Sequence, residues 1–565
     1  MIKHLLTPLG KKVSSIPWQT YPRPQLKRNN WICLNGIWDF SVDNSKDIYN
    51  IYYNKKILVP FCVESLLSKI NKCYKKKSVY HYQRFFELEK DDTKKTLLHF
   101  GAVDQICDIY LNKRLVGHHE GGYLPFSIDI SDYLITNNCL ELFVYDDLDE
   151  TFPHGKQKNN RGGMWYTKVS GIWQTVWIEK VPINYIKSLH ITPTLNSVEI
   201  RINGIDNGII LLDGQEYPYK NGIINISIKN PILWSPENPH LYRFKIKAGN
   251  DEVESYFALR TLQVKSINNI PRLCLNGKPY FFNGILDQGY YSDGIYTPAS
   301  FASYTEDILK MKELGFNTLR KHIKIEPEFF YYECDRLGMI VFQDMVNNSS
   351  YSFLKDTILP NILKFHISDI NRHKKYRSRI IFYNHMKETV NVLYNHPSIC
   401  YWTIFNEAWG QFKADSLYEK LKQIDNTRFI DATSGWYHQT KSDVNSIHTY
   451  FKSFKVVSSS LPLVLSEFGG YSYKVLDHSA NLKHTYAYKK FKTREEFVNN
   501  LRKLYLKEIV PAVSKGLCAS IYTQLSDVED ETNGILTYDR AVSKIKKEEF
   551  IDIARLIREQ ITKES

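Results

Sequence analysis

Thr403-Ile404-Phe405-Asn406-Glu407 and Val464-Leu465-Ser466-Glu467-Phe468-Gly469 decide how this chain is read. Each is an apolar, β-branched and aromatic run that ends in a carboxylate. Such a run reads as a strand buried on both faces, and the C-terminal end of a strand is where a parallel α/β sheet or barrel carries its chemistry. Two glutamates so placed point to acid/base work. Either one alone could equally cap the loop that follows it. Asn406 before one and Phe468-Gly469-Gly470 after the other tell against that blander reading for the pair.

Outward from these two stretches the pattern alternates strand and helix. Tyr280-Phe281-Phe282-Asn283-Gly284 opens it. Ser303-Tyr304-Thr305-Glu306 has the form of a capping box ahead of a helix stopped at Gly315. Asn317 to Arg320 and Met339 to Asp344 are the second and third strands, with a helix from Phe329 to Leu337 between them. Ile399 to Phe405 is the fourth, Arg428 to Ala432 the fifth, Ser446 to Tyr450 the sixth, Leu463 to Leu465 the seventh and Leu517 to Gln524 the eighth. Eight strands alternating with helices over roughly 300 residues predict a (β/α)8 TIM barrel.

Before Val264 the rhythm is all-β. From Asn30 to about Pro182, short strands such as Gly36 to Phe40, Cys107 to Leu111 and Leu140 to Val144 predict a β-sandwich of jelly-roll type. Period-two segments from Ile183 to Val264 have the size of an immunoglobulin-like β-sandwich. The expected domains are 1–182, 183–266 and 267–565, consistent with a chain of 565 residues.

Lys and Arg total 74 against 61 Asp and Glu, a formal charge of +13. The longest lysine run is only Lys75-Lys76-Lys77, so no clustered basic face for nucleic acid is expected. Nine widely spaced cysteines, mostly in apolar runs, read as buried thiols of a reducing compartment, with no zinc spacing. No apolar run approaches a membrane span or a signal segment, so a cytoplasmic protein is expected. The expected partner is a carbohydrate, with neither nucleic acid nor membrane. No cofactor or metal is expected, and self-association into a homo-oligomer stays open.

The order sandwich, immunoglobulin-like domain, barrel, with Asn406-Glu407 on the fourth barrel strand and Ser466-Glu467-Phe468-Gly469 on the seventh, resembles glycoside hydrolase family 2, the β-galactosidases, β-glucuronidases and β-mannosidases. Val169 to Trp177, Trp234 to Pro239, Arg320 to Pro327 and Tyr331 to Gly338 add to the resemblance. It implies a retaining glycosidase in which Glu407 is the acid/base and Glu467 the nucleophile. Asn406 would bond the sugar 2-hydroxyl and Tyr450 would orient the nucleophile. Asp287, Gln288, Arg320, His322, Asp344, Trp436 and Gln524 fall at strand ends where barrel loops meet substrate, and Arg320 is as well suited to a structural ion pair beneath the glutamates. His448 reads as a core histidine. The chain departs from the family pattern twice. Glu531-Thr532-Asn533-Gly534-Ile535 stands where β-glucuronidases carry an Asn-x-Lys cation. Gly162 to Thr167 lacks the first-domain aspartate of the galactosidases and glucuronidases, so Trp165 or Tyr166 would supply stacking instead. A neutral β-glycoside, galactoside first, is therefore the expected substrate.

Overall fold

All eight apolar runs of the second half join one parallel sheet. Its strands are β1 (Phe282–Asp287), β2 (Thr318–Lys321), β3 (Ile340–Asp344), β4 (Ile399–Asn406), β5 (Phe429–Ser434), β6 (Asn445–Thr449), β7 (Leu463–Gly469) and β8 (Leu517–Thr523), in the order β5-β4-β3-β2-β1-β8-β7-β6. The computed structural model describes residues 5–359, 368–370, 373 and 375–562. Side chains close the seam between β5 and β6, where Ser446 Oγ donates to Asp431 Oδ1 at 2.9 Å. Inward-facing Phe282, Phe342, Tyr401, Phe429 and Ile521 fill the lower interior, with Phe342 and Tyr401 stacked at 4.2 Å. This is a packed barrel with its functional end at the strand C-termini.

The helices α1 (Ala302–Glu313), α2 (Glu328–Leu337), α3 (Tyr376–Leu393) and α4 (Ala414–Ile424) cover the first strands. Arg494–Leu504, continued through a π-type turn at Tyr505–Ile509, and Ile551–Thr562 cover the last. Gly338 ends α2 at φ +72°, a left-handed position that suits glycine. The expected capping box at Ser303 to Glu306 is corrected. α1 begins at Ala302, Ser303 is buried in its first turn, and the Thr305 hydroxyl donates to Glu333 of α2 at 2.6 Å. Phe301, which has no hydroxyl, holds the N-cap position, and Ser303 lies beyond it, too far in to cap.

The first domain is an antiparallel sandwich of a four-stranded and a six-stranded sheet around Trp38, Phe40, Tyr82, Leu98, Ile109 and Leu142. The second packs a three-stranded on a four-stranded sheet around Val198, Ile200, Ile210, Phe244 and Val253. Its seven strands match an immunoglobulin-like count. A hairpin, Leu262–Ile267 with Ile270–Leu275, spans the junction expected near residue 266 and sends Leu273 into the lower interior of the barrel. All nine cysteines are free. Six are buried as expected, but Cys33 and Cys139 are half-buried and Cys73 is exposed. No helix among the described residues is long and apolar enough to cross a membrane.

Two stretches singled out in the sequence meet at the joint between second domain and barrel. Trp234 is fully buried and donates its indole N–H to the Asp335 carbonyl at 2.9 Å. The Asp335 carboxylate collects the Tyr256 hydroxyl at 2.7 Å, His396 Nδ1 at 2.7 Å and the Ser398 amide at 2.8 Å. Removing it leaves three buried polar groups without their partner. Asp335→Ala is expected to destabilise the protein by about 3–5 kcal/mol, read as a lowered thermal midpoint. An unchanged midpoint would contradict this account of the joint.

Candidate active site

A bulge aims the second glutamate. Along the β7–β8 ladder Leu465 faces Ser520 but Phe468 faces Tyr522, and on the other side Ile447 faces Leu465 while His448 faces Glu467. The extra residue at Ser466 re-aims the strand end, as bulges beside functional sites do. Glu407 is turned in by a different device. Its amide donates to the Ser434 carbonyl at 2.9 Å, and Glu407 and Ala408 then take φ +52° and +63°, a left-handed pair that non-glycine residues adopt at a cost.

Arg320 lies beneath both. It is 1% exposed. Its Nε donates to Asp344 Oδ1 at 3.0 Å, Nη1 to the Ser466 carbonyl at 2.9 Å and to Glu467 Oε1 at 3.1 Å, and Nη2 to Asn406 Oδ1 at 2.9 Å. Fixing Asn406 by its oxygen leaves its amide nitrogen without a partner among the described residues, turned to the open side. The Tyr450 hydroxyl donates to Glu467 Oε2 and lies 3.0 Å from Thr523 Oγ1. Burial alone would raise the Glu467 carboxyl, but His448, Arg320, His322 and the Tyr450 hydrogen bond bring it down to about 2. Asp344 is spent between Arg320 and His322 Nδ1, the latter at 2.7 Å, and burial pushes the His322 imidazole down to about 4.

His448, read from sequence as a core histidine, stands between the two carboxylates. Its buried ring holds Nδ1 2.8 Å from Glu407 Oε1 and Nε2 3.6 Å from Glu467 Oε1. The three residues offer ligand atoms within 4.8 Å of one another, a spacing open to a cation as well as to an acid/base pair. The direct His448–Glu407 bond and the Arg320 and Tyr450 bonds on Glu467 already engage lone pairs that a cation would use. An alternation pattern reports that a strand residue is buried, not which group it meets across the barrel, so only the His448-x-Tyr450 spacing hinted at this position.

The other expected residues divide into two groups. Trp436 packs edge-on against His448 at 5.7 Å, and Trp165 packs against Trp409 and Tyr351, each at 5.1 Å, so both aromatics line the mouth. Asp287 and Gln524 are engaged by the protein itself. Asp287 takes Lys321 Nζ at 2.5 Å and the Gly289 amide at 2.8 Å. Gln524 accepts from Gln288 at 2.9 Å and donates to Glu531 at 2.9 Å and Asn533 at 3.0 Å. These two act on the site through their neighbours. The loop after β7 adds a wall not foreseen from sequence, with Tyr488 stacked on Tyr450 at 3.8 Å and 6°.

Residues 44–182, 196–260 and 266–542 match, in turn, the sugar binding domain of glycosyl hydrolases family 2, the family's middle region, and its TIM barrel domain. A putative β-glucuronidase of Formosa agariphila is 24% identical over 503 residues, 81% of this chain and 56% of that protein. A β-galactosidase of Thermoanaerobacter pseudethanolicus is 24% identical over 375 residues, 61% of this chain and 46% of that protein. The chain thus spans about half the length of these curated relatives. Among solved structures, a β-D-glucuronidase of Dictyoglomus thermophilum superposes with TM-score 0.73 at 19% identity, covering 96% of this chain and 98% of that one. A β-galacturonidase of Eisenbergiella tayi does so with TM-score 0.68 at 18% identity, covering 95% and 99%. At these identities the structural likeness is one of fold. With its two sandwiches and its barrel each matched in the family's own order, the chain belongs to glycosyl hydrolases family 2.

Proposed function

We propose that this chain is a retaining exo-glycosidase that hydrolyses neutral β-glycosides, galactosides first, from their non-reducing ends. One observation carries the mechanism: one carboxylate oxygen of Glu407 lies within 4.8 Å of one of Glu467, on the short side of the two spacings that glycosidases use. Retention by double displacement needs the two carboxyl groups about 5–5.5 Å apart, whereas inversion leaves about 6.5–9.5 Å for a water. Glu467, ionised and held at both oxygens, attacks the anomeric carbon. Glu407, whose second oxygen has no partner among the described residues, gives its proton to the departing glycosidic oxygen. In the second step Glu407 takes a proton from water, the water oxygen attacks the same carbon, and the bond to Glu467 breaks. The free amide of Asn406 reaches toward the 2-hydroxyl, a contact that strengthens as positive charge grows on the ring.

The neutral sugar is supported by how the barrel's cations are used. A uronate carboxylate in a closed site needs a dedicated positive group. Arg320 is saturated by Asp344, Glu467 and Asn406. Lys321 is held by Asp287 and by Glu326 at 2.8 Å, and Lys324 by Glu326 and the carbonyls of Gly289 and Tyr296. Glu531 adds a carboxylate to the mouth, 4% exposed, raised by its burial and held back by Lys156.

Glu467→Ala is expected to abolish turnover, and a 2-fluoro glycoside should leave a covalent adduct on Glu467 of the wild type. Mass spectrometry locating the adduct elsewhere would remove the assignment. Glu407→Gln should cost aryl glycosides with good leaving groups far less than alkyl glycosides. Equal losses would mean that Glu407 gives no proton. Tyr450→Phe deletes a hydrogen bond to the ionised form of Glu467, so the nucleophile's pKa rises and the acidic limb of kcat/KM moves to higher pH. A limb that stays in place would mean that Tyr450 does not tune the nucleophile. Finally, p-nitrophenyl β-galactoside should be cleaved in preference to the β-glucuronide at equal concentration, and the reverse preference would overturn the neutral reading.

A further inference from the structure

We infer that Lys156 of the first domain and Glu531 of the barrel form a two-sided clamp for adjacent hydroxyls of the non-reducing sugar. This rests on the glycosidase reading above and goes beyond it, because it names which residues hold the far edge of the ring.

Lys156 is rigidly presented. The amides of His154 and Gly155 both donate to the Asn347 carbonyl on the barrel, at 3.0 and 3.3 Å. Gly155 has φ +60°, and a Cβ there would lie 2.8 Å from the Ile323 carbonyl, so the loop is docked against the end of β2 as closely as glycine allows. On the other side Gln157 is tied to Asp104 at 2.9 Å, to the Tyr123 hydroxyl at 3.2 Å and to the Val169 amide at 2.7 Å. Between these anchors the Lys156 ammonium lies half-buried over the Tyr166 ring, 6.0 Å from its centroid, with no hydrogen bond or ion pair among the described residues.

Tyr166 links it to the second arm. Its hydroxyl donates to Glu531 Oε2 at 2.5 Å, and the same oxygen takes Gln524 Nε2 at 2.9 Å. Glu531 Oε1 has no partner among the described residues. One charge therefore lies over the face of the phenol ring and the other at its hydroxyl, without an ion pair between them. The Lys156 loop is docked on Asn347 and Ile323, beyond the C-terminal ends of β3 and β2, and Glu531 is held by Gln524, just beyond β8, so both arms stand over the barrel mouth. An ammonium only donates and a carboxylate only accepts, whereas a sugar hydroxyl does both. Neighbouring hydroxyls complement the pair, while a substrate carboxylate would meet Glu531 as it met Lys156.

The test uses the whole 565-residue chain with the p-nitrophenyl glycoside it cleaves best, the 3-deoxy, 4-deoxy and 6-deoxy forms of that glycoside, and the glucuronide. Lys156→Met keeps the length of the side chain and removes its donors, and its thermal midpoint is read beside its activity, since buried Glu531 also loses its chief opposite charge. On the parent glycoside kcat/KM should fall about 10- to 100-fold. On the deoxy form lacking the partner hydroxyl, wild type and variant should converge. Glu531→Gln should show a loss on the neighbouring position. A variant within about twofold of wild type on the parent glycoside overturns the clamp while the glycosidase reading stands. A wild type that prefers the glucuronide, with the preference lost in Lys156→Met, also overturns it and makes Lys156 a carboxylate anchor. Failure of the wild type on every glycoside removes the glycosidase reading and the clamp together.

Discussion

The guanidinium of Arg320 is the interaction on which the site depends. Two carboxylates cannot be brought to 2.8 and 3.6 Å from the nitrogens of one histidine, inside a barrel, unless a fixed positive charge stands under them. Arg320 does this from β2 while tying together β3 through Asp344, β4 through Asn406 and β7 through Ser466 and Glu467. A planar fork of donors fits four such partners at once, which a lysine's point charge cannot match. The same bonds that keep Glu467 ionised also set the amide of Asn406. The proposed nucleophile and the proposed 2-hydroxyl contact therefore share one support.

Much of this was legible because buried parallel strands announce themselves as continuous apolar runs. The runs ending at Glu407 and Glu467 could be neither surface strands nor helices of useful length, and the alternation around them fixed a barrel. Arg320 and Asp344 followed from their positions at strand ends, and Tyr450 from the family resemblance. The direction in which a strand-end side chain is spent was not legible. Asp287 and Gln524 occupy the right level, yet Lys321 and the Gly289 amide take the first, and Gln288, Glu531 and Asn533 take the second. His448 is buried and hydrogen-bonded as read, but its partners were not legible. A histidine inside an apolar strand looks like core until the bulge at Ser466 brings Glu467 opposite it.

The two departures from the family pattern are also explained by where other elements end. The stretch Glu531 to Ile535 carries no cation, and its glutamate is instead held under the barrel mouth by Tyr166 and Gln524. The loop that lacks an aspartate is filled by Trp165, packed on Trp409, which stands two residues beyond Glu407. Lys156, ten residues before Tyr166, gave no signal in the sequence, because a single lysine in a lysine-rich chain has no pattern to distinguish it.

Chemistry and recognition are therefore built by different means in this chain. Glu407, Glu467, Asn406, Arg320 and Tyr450 all come from strand ends or the residues just after them, so their mutual geometry is as stiff as the sheet. The groups proposed to face the rest of the sugar, Lys156, Trp165 and Glu531, come from loops whose positions depend on contacts between domains, above all the Asn347 carbonyl that receives the amides of His154 and Gly155. Loops can change length and composition without disturbing a packed barrel. A first-domain loop docked by two backbone hydrogen bonds and one glycine can thus change what stands over the barrel mouth, while the distance between Glu407 and Glu467 stays fixed by Arg320 and the barrel beneath it.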